Sequence, residues 1–340
     1  MTRALRLAAV GAAGLALVLA GCSKPATTSS STPKSSGAAA SNKKLSIGFF
    51  GFAKANSFAQ ATWAGVQSYA DTHNATATFI DSNFDGPTQV NELQDAVVAK
   101  RYNIVIIQAN DGTAMVQPVQ QAVRAGITVV IEFTPVGGKY NTAAPQVPGT
   151  INIIDPPTVN GVGLAKLGLE ACKTVTSAKC NVAYLQGFAN YPLDTARTNA
   201  AVAALKAGGA TVVSNFVGGY TQDSGRAAMQ NLLQADPNVN VVIGSSQALE
   251  GATPLAKGKK IAFVGNGGST QAFSYVKSGV WFGDYDVPER SEGAKAAQLG
   301  IEKARGQNVP DSQVACQVLT TFSCLGTKQT LQGQTATYSD

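Results

Sequence analysis

A single histidine, His73, stands among 340 residues, and the five cysteines include no Cys-x-x-Cys pair. That argues against a zinc site, which needs four nitrogen, sulfur or carboxylate ligands at short spacings. His73 closes a helical pattern beside Asn74, the place of a helix-end residue rather than a catalyst. No Gly-x-Ser-x-Gly elbow and no phosphate loop occur, and Gly161-Val162-Gly163 lacks the third glycine of a dinucleotide fingerprint. Hydrolase, kinase and dehydrogenase chemistry is therefore not indicated, and no cofactor is implied. Charged residues make up only 14% of the chain, and its lysines and arginines are scattered without a dense run. A nucleic-acid footprint is absent on that ground. The run Leu7 to Leu19 is shorter than the roughly 20 residues a spanning helix needs.

That run nevertheless has a purpose. Arg3 and Arg6 precede it, and Leu19-Ala20-Gly21-Cys22 follows. A basic start, a short apolar centre and small residues before a cut make a signal peptide over 1–21. The Cys after Leu-Ala-Gly resembles the bacterial lipoprotein box, so Cys22 is the expected lipidation site and new N-terminus. Removing Arg3 and Arg6 lowers the formal charge from +6 to +4. After Cys22, residues up to 44 are almost all Ser, Thr, Pro, Ala, Gly and Lys with almost nothing to bury, so 22–44 is expected to be a flexible tether. The expectation is a monomer held outside the cell membrane by its lipid. Cys172, Cys180, Cys316 and Cys324 remain, and an even count in an exported chain suggests disulfides. Three pairings are open. The sequence-local one, Cys172–Cys180 with Cys316–Cys324, is favoured because each bond closes a short connection.

At 44% hydrophobic, the chain carries enough apolar material for two domains. From Lys44 onward short apolar runs alternate with amphipathic patterns. Strands are expected at 45–52, 76–81, 103–108, 127–132 and 149–154, with helices at 58–73, 87–100 and 113–125. Asp155-Pro156-Pro157 is a strong break. After it a helix at 158–175 leads into strands at 181–186, 210–217, 239–244, 259–265 and 280–285. Helices between them fall at 194–207, 222–235, 247–256 and 269–278. A second break, Asp286-Val287-Pro288, precedes a helix at 289–305 and a strand near 313–319. Strands separated by helices of this length pair in parallel through right-handed crossovers. The fold class is α/β, two doubly wound parallel-sheet lobes.

One motif points elsewhere. Asp81-Ser82-Asn83-Phe84-Asp85-Gly86, followed by Glu92, fits the EF-hand calcium loop in ligand types and spacing. A strand precedes it where that motif needs a helix. The reading in context is a strand-to-helix turn with Asp85 near the N-cap and Pro87 in the first turn.

From about Leu45 to about Leu319 the chain resembles the ribose/galactose type of periplasmic sugar-binding protein, the solute receptors of ABC importers. The likeness rests on Ile47 to Gln67, where Asn56-Ser57-Phe58 stands for the common Asn-Pro-Phe. It rests also on Leu185-Gln186-Gly187, Met229 to Pro237, Phe263 to Gly267 and Asp286-Val287-Pro288. The resemblance implies three crossing segments, near 154–157, 285–288 and 310–313. The N-terminal lobe would take 45–154 and 287–312, the C-terminal lobe 155–286 and 313–335. A sugar-like ligand would bind between them as the hinge closes, and an ABC permease and its ATPase would be partners. The implied ligand residues are Asn56, Phe58, Arg197, Tyr220, Asn266 and Asp286. Departures are Ala59 where a second Phe is common, Glu132-Phe133-Thr134 for Asp-Arg, and Ser246-Gln247 for Asn-Asp. They put ribose itself in doubt and admit another sugar, a polyol or a nucleoside. A lipoprotein that presents ligand to a receptor kinase or chemoreceptor is the alternative. Chemically, Phe58, Tyr220 and Phe133 can cover the apolar faces of a sugar, while Asn56, Arg197, Asn266 and Asp286 can meet its hydroxyls.

Overall fold

The computed structural model describes residues 43–176 and 178–340; the expected signal peptide, Cys22 and all but the last two residues of the tether lie outside them. In the first half the order is β1 (Leu45–Gly51), α1 (Ser57–Thr72), β2 (Ala75–Asp81), α2 (Gly86–Val98), β3 (Ile104–Ile107), α3 (Val116–Arg124), β4 (Thr128–Phe133) and β5 (Ile151–Ile154). The second half begins α4 (Pro157–Val175), β6 (Asn181–Gln186), α5 (Pro192–Ala207), β7 (Thr211–Val217), α6 (Gln222–Ala235) and β8 (Val241–Gly244). It continues α7 (Ser246–Ala252), a 3-10 turn Thr253–Ala256, β9 (Ala262–Gly267), α8 (Thr270–Ser278) and β10 (Gly283–Asp286). The chain then returns through α9 (Glu289–Ala304), β11 (Ser312–Val314), α10 (Ala315–Leu319) and β12 (Leu325–Thr327).

These elements form two six-stranded sheets, ordered β11-β5-β4-β3-β1-β2 and β12-β10-β9-β8-β6-β7. Every pairing is parallel except that of β12 with β10. The apolar runs follow from burial on both faces. Ile47, Phe49, Ile104, Ile106 and Val130 pack on one side of the first sheet, and Phe50, Val105, Ile107, Val129 and Ile131 on the other. The period of two is that of a pleated strand. Trp281, 1% exposed, sits in the second lobe's core with its indole N–H on Thr253 Oγ1 at 2.8 Å.

The lobes exchange chain three times. Asp155-Pro156-Pro157 carries it from β5 to α4, and Val287-Pro288 carries it from β10 back to α9. The third crossing departs from expectation. The strand foreseen near 313–319 is only Ser312–Val314; it lies at the edge of the first sheet beside β5, and the chain leaves that lobe after it. Ala315–Leu319 is a helical turn instead. That turn swings Cys316 toward Cys324, to which it is bonded, and the second bond joins Cys172 to Cys180. Of the Val-Ala-Cys-Gln-Val-Leu run only Ala315 and Cys316 are buried, and Val318 is exposed, so the run reads as a strand from its composition without being one.

Helix α9 returns to cover the first sheet and packs on α1. The approach is backbone to backbone: a Cβ on Gly65 would lie 1.9 Å from the Arg290 carbonyl oxygen, and one on Gly293 2.1 Å from that of Thr62. Gly65→Ala is expected to separate the helices and lower stability by about 1–3 kcal/mol, read as a lower urea midpoint at unchanged slope.

Candidate functional site

In a parallel sheet, the loops leaving the carboxyl ends of the strands collect at one edge, and ligands bind there. Loops of that kind from both lobes line one cavity. The first lobe contributes Phe52, Asn56, Phe58, Phe84 and Phe133; the second contributes Tyr191, Leu193, Arg197, Tyr220, Gln247 and Asn266. Phe52 follows β1, Phe84 lies between β2 and α2, and Phe133 ends β4. Tyr191 and Tyr220 stand just ahead of α5 and α6.

The walls are aromatic. Phe58 meets Phe133 edge-on at 4.8 Å between ring centroids, and Phe52 meets Phe133 at 6.0 Å. Phe84 reaches across from the first lobe, lying parallel to Tyr220 at 6.2 Å and edge-on to Phe188 at 5.4 Å. The Tyr191 hydroxyl donates to the Phe84 carbonyl, a second tie between lobes. Phe84 and Phe133 hold φ of +60° and +58°. The left-handed region is costly for such bulky residues, and strain of this kind concentrates at functional sites. At Phe133 it closes a tight turn in which Thr134 N–H donates to the Glu132 carbonyl at 2.6 Å. With the lobes together, the enclosed room is about 30 Å³. That suffices for one or two waters and is too small for a molecule of sugar size.

The polar groups have assigned duties that fix what each can still offer. Asn56 caps α1, its Oδ1 accepting Ala59 N–H at 3.0 Å, which leaves Nδ2 as its spare donor. Asn266 Oδ1 accepts from Asn160 Nδ2 at 2.9 Å, again leaving an amide donor. Gln247 Nε2 donates to Ser57 Oγ at 3.2 Å across the lobes, leaving Oε1 as an acceptor. Arg197, 5% exposed, donates Nη1 to Asp194 Oδ1 at 3.3 Å and lies 5.9 Å from the Phe133 ring centre. Its Nε is buried without a partner. Asp194 also accepts from Phe188 N–H at 2.7 Å and from the Tyr220 hydroxyl. Burial pushes its carboxyl upward, against the pull of Arg197 and these donors.

The structure thus brings together Asn56, Phe58, Phe133, Arg197, Tyr220, Gln247 and Asn266. Glu132, Ser246 and Asp286 are placed elsewhere. Glu132 points away from the cavity because the turn at Phe133 puts the phenyl ring there instead. Its carboxylate joins those of Glu289 and Glu292, with oxygens within 4.8 Å of one another and all three residues buried. Ser246 is fully buried and donates to Asp284 Oδ1 at 3.1 Å. Asp286 borders a separate cavity of about 220 Å³ with Phe273, Ser291 and Thr320. Burial lifts its carboxyl to about 7. Four lining residues escaped the sequence reading: Phe52, Phe84, Tyr191 and Leu193. Phe52 and Phe84 follow strand ends, the signal available for them, while Tyr191 and Leu193 stand at the start of α5. The calcium-like loop is a turn: Asp85 caps α2 through Thr88 N–H, and Asp81 Oδ1 accepts the N–H groups of Lys54 and Asn83 at 2.9 and 3.0 Å.

Comparison with known proteins agrees with this architecture. The family described as periplasmic binding protein domain matches residues 47–308. No curated protein sequence matches the chain. Among solved structures, an ABC transporter periplasmic solute binding protein from Actinobacillus succinogenes 130z with bound D-allose is 19% identical. It superposes with a TM-score of 0.73 over 85% of this chain and 100% of its own. A solute binding protein from Agrobacterium vitis with bound alpha-D-tagatopyranose is 19% identical at a TM-score of 0.72, over 87% and 100%. One from Bacillus halodurans C-125 with bound myo-inositol is 16% identical at 0.72, over 86% and 97%.

Proposed function

The chain belongs to the periplasmic binding protein domain family, and from that premise we propose that it is an extracytoplasmic solute receptor for a small sugar or polyol. The observation that carries this reading is the cavity between the lobes, with aromatic faces from both sides and Arg197 in its wall. Aromatic rings suit the C–H faces of a sugar, and the amides of Asn56, Asn266 and Gln247 with Arg197 suit its hydroxyls. Allose, tagatopyranose and myo-inositol in the solved relatives are ligands of that chemistry. Ligand would favour the closed form because only there do both lobes touch it. Cys22 would carry the lipid anchor, and the closed receptor would dock on an ABC permease whose ATPase powers uptake.

Isothermal titration of the full chain against sugars, polyols and nucleosides tests this. Saturable one-to-one binding of at least one sugar or polyol is expected. Silence from the whole panel would sink the proposal, and binding of nucleosides alone would move it to another ligand class.

A further inference from the structure

Residues Gln334–Asp340 have no regular structure, yet Gln334, Tyr338, Ser339 and Asp340 are tied down. Lys277 Nζ donates to the Gln334 carbonyl at 2.6 Å. The N–H and hydroxyl of Thr270 both donate to the Tyr338 carbonyl at 2.8 Å. Gln271 Nε2 donates to Ser339 Oγ at 2.8 Å and to the Asp340 carbonyl at 3.0 Å, and Gln271 Oε1 accepts Asp340 N–H at 3.1 Å. All of these anchors belong to α8, in the second lobe. The far side of Asp340 faces the first lobe: the hydroxyl of Ser57, the opening residue of α1, donates to its Oδ1 at 2.7 Å.

We propose that this segment is a latch that holds the two lobes closed and, through Ser57, orients Gln247 in the ligand cavity. The chain of donors dictates the second effect. Because Ser57 gives its proton to Asp340, its oxygen is left to accept from Gln247 Nε2, and the amide is thereby fixed with Oε1 free as an acceptor. Ser57 lies between Asn56 and Phe58, so the same contact steadies that jaw of the site. Asp340 is the positioning residue. The latch contributes to affinity without touching ligand, since apparent affinity scales with the fraction of molecules already in the competent closed state.

This inference rests on the proposed solute binding for its affinity arm and stands apart from it in its structural arm. The structural arm is small-angle scattering of the ligand-free full chain as wild type, Asp340→Ala, Asp340→Asn and Gln271→Ala. Asp340→Ala and Gln271→Ala are expected to increase the radius of gyration, while Asp340→Asn, which keeps an acceptor oxygen for Ser57, stays near wild type. In the affinity arm, a ligand bound by wild type is expected to lose about tenfold in affinity to Asp340→Ala, the loss being in the off-rate, and to recover most of it with Asp340→Asn. A merely structural tail would lower melting temperature equally in both Asp340 variants without that split. Scattering and affinity of Asp340→Ala unchanged from wild type overturn the latch. If wild type binds nothing, the solute-receptor reading fails, and scattering alone decides whether the latch stands.

Discussion

Arg197→Ala is expected to remove measurable ligand binding and to loosen the second lobe at the same time. The two losses have different origins. Arg197 and Asp194 are 5% and 1% exposed and pair at 3.3 Å. Deleting the guanidinium leaves the Asp194 carboxylate buried with only the Phe188 N–H and the Tyr220 hydroxyl. Stranding a buried charge in this way costs about 3–5 kcal/mol, read as a lower melting temperature. Binding suffers separately, because Arg197 supplies the cationic side chain among the residues that line the cavity. Truncating such a buried, charged hydrogen-bond donor costs about 2–5 kcal/mol of affinity, at least about thirtyfold. Combining Arg197→Met with Asp194→Asn separates the effects. Removing both charges is expected to return much of the stability and none of the binding. Arg197→Lys keeps charge but loses the planar fork and is expected to bind weakly. Affinity for the ligand within threefold of wild type in the folded Arg197→Ala protein would show that Arg197 is structural only.

Much of the scaffold is legible in the sequence because parallel strands buried on both faces are written as unbroken apolar runs. Ile104-Val105-Ile106-Ile107 admits hardly any other reading. Asn56 and Phe58 were legible for a similar reason: position at a strand exit determines which edge of the sheet a residue occupies. What escaped depends on side-chain direction at those exits. Phe84 sits in a loop whose acidic spacing suggests calcium, and only its left-handed backbone turns the ring across to Tyr220. Glu132 and Phe133 are neighbours, and one tight turn decides which of them faces the cavity between the lobes. Ser312–Val314 and Ala315–Leu319 share one apolar run, which periodicity cannot divide between a short edge strand and a helical turn. The latch was invisible, since a polar segment without periodicity declares its role only through the partners it finds.

The protein is expected to lose stability as pH rises from about 5 to about 8, the reverse of the usual acid sensitivity. Burial raises several carboxyls that face one another around the crossings: Glu132 to about 8, Asp286 to about 7 and Asp155 to about 6. Glu289 and Glu292 are held well above the ordinary range by burial first, then Glu289 by Glu292 and Glu132, and Glu292 by Glu132 and Asp155. Three carboxylates with oxygens within 4.8 Å cannot all ionise without severe repulsion. The hydrogen bonds present are few: Thr62 donates to Glu289 Oε2 at 3.0 Å and Phe133 N–H to Glu292 Oε1 at 3.3 Å. Both carboxylate oxygens of Glu132 are buried without partners. The folded chain therefore keeps protons that the unfolded chain releases near pH 4. Where the folded state binds more protons, unfolding free energy falls as pH rises, by about 1.4 kcal/mol per pH unit for each proton retained. The stabilisation is complete below the unfolded values and is lost as pH climbs through 6, 7 and 8, the raised values of Asp155, Asp286 and Glu132. Urea titrations at pH 5.5, 6.5 and 7.5 should show a lower midpoint at each step, with a total loss of about 5 kcal/mol from Asp155, Asp286 and Glu132 together. Glu132→Gln and Glu289→Gln, which remove a proton-dependent charge at constant shape, should flatten the profile and stabilise the protein most at pH 7.5. A stability that stays flat across this range would mean that the cluster is already ionised in the folded chain, and would overturn the protonated reading of the cluster.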